Sequence, residues 1–318
     1  MIKKGQYTVL SFFLTRALFM IGIYSLLINT ADSNVLLVCF LGMLLGLLLL
    51  FLVYKKDKIN KYILSIISII ILIITITANS VLNSTYLLFK TPPLVIMISF
   101  LILGIYGASK GITNIARTSF ILVWFSILMI TLATLGLIGV IKLKNLLPFL
   151  HEEFINIIKG ITIFASTSLL PNIMLLNYKG DLKFKDISKG YIIGCLSTIL
   201  FMFLIISIFG YDLSKIVRFP EYLILKKINI GGFTNIENVL VMELIASLLI
   251  AGMTATKVLK DNTNKYIFPI LIILIIIGIY IFIFNTNYVI VLYLKKYSFY
   301  AFTLLILLSL LIKANKSS

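Results

Sequence analysis

The chain has 318 residues, of which 61% are hydrophobic and 12% charged, and its mean hydropathy is +1.13. Soluble globular proteins average about 45–50% apolar and about 25% charged residues, so a water-soluble fold could not hide this much apolar surface. Lys and Arg number 28 against 11 Asp and Glu, a net charge of +17, but they punctuate apolar runs and form no nucleic-acid-binding block.

The basic residues read instead as loop charges that orient helices and touch anionic lipid headgroups. The composition predicts an all-α polytopic membrane protein that forms one transmembrane domain over residues 1–318. A span needs ~20 apolar residues. Runs bounded by charges or turn residues give ten: 8–28, 35–54, 62–89, 93–109, 118–141, 154–177, 190–210, 236–256, 266–284 and 297–312. Lys3 and Lys4 precede a long apolar run with no small-residue cleavage site, which reads as an uncleaved first span. Basic residues on the N-terminal side outnumber those on the other nearly two to one, which places both termini in the cytoplasm.

Ten spans divide into two fives, 8–141 and 154–312, and a second copy of an odd-numbered unit must sit inverted. Many secondary transporters are built this way, with the first helix of each repeat interrupted at the binding site. The first span carries Gly22 at its middle and Arg16 nearby. The third places Asn79, Ser80 and Asn83 on one face, a polar stripe suited to lining a pathway or to gluing helices together. The sixth carries Ser166, Thr167, Ser168, Pro171 and Asn172. A break there would free backbone groups to hold an amino acid's carboxylate and ammonium. The alternative is that the hydroxyls bond their own helix and Pro171 only kinks it.

The connection 211–235 alternates apolar and basic residues and reads as an amphipathic outer helix lying at the interface, ended by Gly231-Gly232. Glu243 lies near the middle of the eighth span, and Glu237 marks that helix's outer end. An isolated charge at mid-membrane costs at least ~2.5–3.5 kcal/mol, so Arg16 and Glu243 are candidates to face inward and pair. Otherwise Glu243 is protonated and Arg16 snorkels. Cys39 and Cys195 lie inside apolar runs, and the only histidine, His151, stands beside Glu152 and Glu153. These residues suit neither a metal site, a disulfide framework nor an enzyme's acid–base machinery, so no cofactor is expected.

Several stretches resemble the GerAB-type B subunits of spore germinant receptors, members of the amino acid–polyamine–organocation permease superfamily. The clearest runs from Lys90-Thr91-Pro92 through Val95-Ile96, Gly104-Ile105-Tyr106 and Gly111 to Ala116-Arg117. A second is Lys144-Asn145-Leu146-Leu147-Pro148-Phe149-Leu150. The third joins Arg218-Phe219-Pro220 to Gly232-Phe233 and Ile236-Glu237. The chain departs from the family pattern at Met20, which replaces a glycine of the first helix, and at Ser166–Asn172, which replaces a Gly and Glu region.

The resemblance implies a LeuT-type fold of ten helices, with the first and sixth broken, in the spore inner membrane. It implies a small amino-acid-like germinant, held around Gly22, Ser166, Thr167, Ser168, Asn172, Asn79 and Asn83. It also implies two partners, an A-type membrane subunit and a C-type lipoprotein, and places Arg16 and Glu243 on neighbouring helices. A proton-coupled amino acid permease acting alone would use the same pocket; the third alternative is a non-transporting structural subunit that has lost its ligand.

Overall fold

A computed structural model describes residues 2–56, 59–147, 153–217, 219–228, 236–281 and 302–312. Among them there are helices and turns but no strand. The helices are α1 (Lys4–Ala17), α2 (Ile23–Ala31), α3 (Val35–Tyr54), α4 (Lys61–Leu82), α5 (Pro93–Lys110), α6 (Ile112–Leu137), α7 (Phe154–Leu175), α8 (Phe184–Ile216), α9 (Pro220–Leu225), α10 (Ile236–Asn262) and α11 (Ile267–Ile279), followed by a short apolar helix, Phe302–Leu311. His151, Glu152, Arg218, Gly231-Gly232 and Pro148–Leu150 lie outside the described residues.

Seven helical stretches among the described residues are long and apolar enough to cross a membrane. One of the seven, Ile23–Tyr54, contains a reversal at Asp32–Asn34, where Asp32 has φ 39°. Asn29 of α2 donates to the Lys215 carbonyl at one end of the bundle, whereas Tyr54 of α3 donates to the Leu182 carbonyl at the other. The short helices α1 and α2 therefore traverse the bundle in series, and α3 returns.

Helix bounds follow hydropathy where polar residues sit at the run's edge. The span read as 35–54 is Val35–Tyr54, between Asn34 and Lys55. Where a polar residue lies within a helix, the run is too short a guide. α6 starts at Ile112 and carries Asn114 and Arg117 through its first turns; α8 spans 33 residues, bending at Gly210 (φ 73°). The carbonyl of Ser207, before the bend, accepts from the Lys142 backbone and from Asn145 Nδ2, each at 3.0 Å.

Two expectations are corrected. The sixth span is not broken: α7 continues from Phe154 to Leu175 with Pro171 inside it. Pro171 lacks one backbone donor, yet the helix runs on through it, and in the next turn Asn172 Nδ2 donates to the Ser168 carbonyl at 2.9 Å. The outer segment does not lie on the surface as an amphipathic helix either. Residues up to Ile216 extend α8, and α9 is tucked into the bundle with Pro220, Glu221, Tyr222, Ile224 and Leu225 buried. Its Tyr222 ring stacks on Tyr86 at 4.4 Å between centroids, and Lys226 Nζ stands 5.1 Å from the Tyr222 ring.

The tightest seams are glycine seams spaced i, i+4, which let backbones approach in lipid, where apolar burial drives little association. Gly42 and Gly46 of α3 face Phe164 of α7 and Tyr191 of α8. Gly190 and Gly194 of α8 face Thr8, Ser11 and Thr15 of α1.

Candidate functional site

Among the described residues, the first crossing is interrupted at Gly22. α1 tightens into a 3-10 turn over Leu18–Ile21, Gly22 takes φ 77°, ψ 26°, and α2 restarts at Ile23. An L side chain in that left-handed region costs about 1–2 kcal/mol, so glycine is the residue that permits the break. Gly22→Val is expected to lower stability by about that amount or more, since branched residues fit the region worst. Thermal unfolding of the purified variant checks this.

Arg16, six residues before Gly22, is fully buried, and Glu243 on α10 is 2% exposed. They form a two-point ion pair: Nη1 donates to Oε1, and Nη2 to Oε2 at 3.0 Å. The guanidinium also lies 5.2 Å from the Phe12 ring and 5.7 Å from that of Phe201. One charged group thus ties α1 to α8 and α10.

Just past the break, the buried Tyr24 packs against Phe19, which packs against Phe164. Among the described residues, Tyr24 Oη and Arg16 Nε have no hydrogen-bond partner. The first N–H groups of α2 have no side-chain cap, because the residue before them is Gly22. α9 carries the buried Glu221. Two buried polar atoms without a partner among the described residues and an uncapped helix N-terminus therefore lie along the broken segment.

The other residues singled out in the sequence lie elsewhere in the hydrogen-bond economy of the bundle. Ser166 Oγ donates to the Ile163 carbonyl, Thr167 Oγ1 to Ile163 and Ser168 Oγ to Phe164, all on their own helix. Ser168 also meets the Tyr191 hydroxyl at 2.7 Å. Asn172 accepts from Ser11 at 2.7 Å and donates to Thr15 at 2.9 Å, tying α7 to α1. Asn83 Nδ2 donates to Asn79's carbonyl and side-chain oxygens, 2.8 and 3.0 Å away, where α4 passes into a π turn. Ser80 donates to the Pro93 carbonyl at 2.9 Å. Sequence reasoning passed over Tyr24 and Glu221. The signal for Tyr24 was its place two residues after the break glycine.

A family model described as spore germination protein, the spore permease family, matches residues 78–289. The chain belongs to that family. The match covers α5 to α11, including Glu221 and Glu243. The break at Gly22 and its Arg16 lie N-terminal to it. No curated protein matches the chain. Membership of the spore germination family and seven apolar helices agree on a multi-pass membrane protein with a role in germination.

Proposed function

We propose that the chain is the integral-membrane subunit of a spore nutrient-germinant receptor, which binds a small amino-acid-like germinant at the α1–α2 break. The observation that carries this reading is the pair of buried, unpartnered groups there, Arg16 Nε and Tyr24 Oη. A buried donor without an acceptor costs about 1–3 kcal/mol, so the site favours a ligand that supplies one. A carboxylate does so, and the positive end of α2 adds to its attraction. An amino acid is net neutral and adds no uncompensated charge at membrane depth.

In the same reading the domain spans residues 1–318 with ten crossings in two inverted units, 8–141 and 154–312, of the LeuT type. The broken α1–α2 segment is the first crossing, and α11 and Phe302–Leu311 belong to the last two. Lysines such as Lys3, Lys56, Lys110, Lys183 and Lys260 cluster where α1 and α8 begin and α3, α5 and α10 end, which supports a cytoplasmic location for that end. The proposed partners are an A-type membrane subunit and a C-type lipoprotein in the spore inner membrane. Occupancy of the break would be passed to them through α1 and α10.

Tyr24→Phe tests the site. It removes a hydroxyl that has no partner, so thermal stability should stay unchanged or rise slightly. The ligand loses a hydrogen bond to a charged group, worth about 1.5–3 kcal/mol, so half-maximal response should need about tenfold more ligand, or beyond. Spore germination dose–response curves for a panel of amino acids give the readout. An unshifted curve would remove Tyr24 from the site. Proton-driven uptake of labelled amino acids by the protein alone in proteoliposomes would replace the receptor reading with a free-standing permease.

A further inference from the structure

At the lysine-rich end of the bundle, the N-terminal residues, the start of α6 and the α7–α8 turn enclose an open cleft of about 610 Å³. Its walls include the apolar side chains of Ile2, Ile112 and Leu182, and its rim carries Lys3 and Lys4, both exposed. A third lysine of the lining, Lys179, is already engaged: its ammonium donates to the carbonyls of Tyr54, at 3.1 Å, and Lys56. The acid in the lining is Asp181. Two ammonium groups with no partner among the described residues therefore stand at the rim of a hollow with apolar walls, at the level where the helices end. α6, whose first residues line the cleft, presents Ile121 and Trp124 outward, 72% and 68% exposed, as a lipid-facing helix does.

We propose that this cleft binds an anionic phospholipid, with Lys3 and Lys4 on its phosphate and the first acyl methylenes against Ile2, Ile112 and Leu182. The apolar walls distinguish this occupant from a free phosphate, which would gain nothing from them. The two lysines distinguish it from a zwitterionic lipid, whose choline would meet like charge. Juxtamembrane lysines attract anionic lipid, so a pair at one cleft favours an anionic headgroup over a zwitterionic one. Because α1 runs directly from this rim to Arg16 and the break, a bound lipid would also hold the N-terminal end of that helix in place.

The test uses the full-length protein in detergent, unfolded by heat and followed with a thiol-reactive dye on the buried Cys39 and Cys195. Phosphatidylglycerol should raise the midpoint, while phosphatidylcholine and soluble glycerol phosphate should not. Lys3→Gln with Lys4→Gln should remove at least half of the phosphatidylglycerol shift. Lys55→Gln with Lys61→Gln, basic residues at the same end but outside the cleft, should leave it intact. Two results would overturn the proposal: an equal shift with phosphatidylcholine or glycerol phosphate, or a shift that the Lys3 and Lys4 changes leave untouched. Both lysine side chains are exposed, and the helix-capping contact of Lys3 with Gln6 comes from its backbone nitrogen, so the double variant keeps its fold. None of these readouts depends on a germinant.

Discussion

Arg16→Met is expected to cost about 3–5 kcal/mol, enough to leave little folded protein in the membrane. The change strands Glu243, which is 2% exposed, without the guanidinium that holds both of its oxygens. It also removes a flat cation from between Phe12 and Phe201. Arg16→Met combined with Glu243→Leu should recover most of the loss, because two apolar side chains of similar volume leave no buried charge. Thermal unfolding of the three proteins in detergent separates the cases. If Arg16→Met alone melts at the wild-type temperature, the Arg16–Glu243 contact does not hold the fold together as an ion pair. The recovered double variant would then ask a second question. It keeps the tether between α1 and α10 as packing but lacks Arg16 Nε, so a germinant site that uses that donor should respond weakly even when the fold is restored.

The two charges could be picked from the sequence because each stands near the middle of an apolar run. That they meet depends on which helices are neighbours, and hydropathy carries no such information. The same limit explains the sixth span. Ser166, Ser168 and Asn172 suit a broken helix lining a cavity as well as a continuous helix tied to its neighbours. What decides is the face opposite, where Ser11 and Thr15 of α1 meet Asn172 and Tyr191 of α8 meets Ser168. Composition alone is silent on that face.

The outer segment shows a different failure. A six-residue helix has under two turns in which to display an amphipathic pattern, so Phe219, Tyr222 and Leu225 read equally well as a face for lipid or for protein. Tyr86, more than a hundred residues earlier, supplies the aromatic surface that draws Tyr222 inward. Gly22, by contrast, was legible, because a glycine within an otherwise unbroken apolar run is where a left-handed residue costs least. The glycines at 42, 46, 190 and 194 were open to the same inspection. Their four-residue spacing marks close helix contacts, not breaks.

Gly190→Leu is expected to cost roughly 3 kcal/mol or more. A Cβ on Gly190 would overlap the carbonyl oxygen of Thr8 and come within 2.8 Å of Ser11 Cβ, so the obstacle is backbone on the opposing helix and no rotamer avoids it. Overpacking of this kind costs about 1–3 kcal/mol, occasionally more. Forcing α1 from α8 also lengthens two side-chain hydrogen bonds across the seam, from Thr8 to the Asp186 carbonyl at 2.7 Å and from Ser11 to that of Ile187 at 3.0 Å. Each is worth about 0.5–1.5 kcal/mol. Gly278→Ala is the control: nothing lies within 4 Å of its new methyl, and alanine in a helix interior gains up to about 1 kcal/mol over glycine. Its melting temperature should hold or rise while that of Gly190→Leu falls. A Gly190→Leu protein that melts with the wild type would mean that α1 and α8 are not in contact here. The seam matters beyond stability, because it sets the height of α1 along α8. Arg16 lies two turns beyond Thr8 on α1, and Phe201 about three turns beyond Gly190 on α8. Any separation at Gly190 therefore moves the guanidinium, with its unpartnered Nε, relative to Phe201 and Glu243.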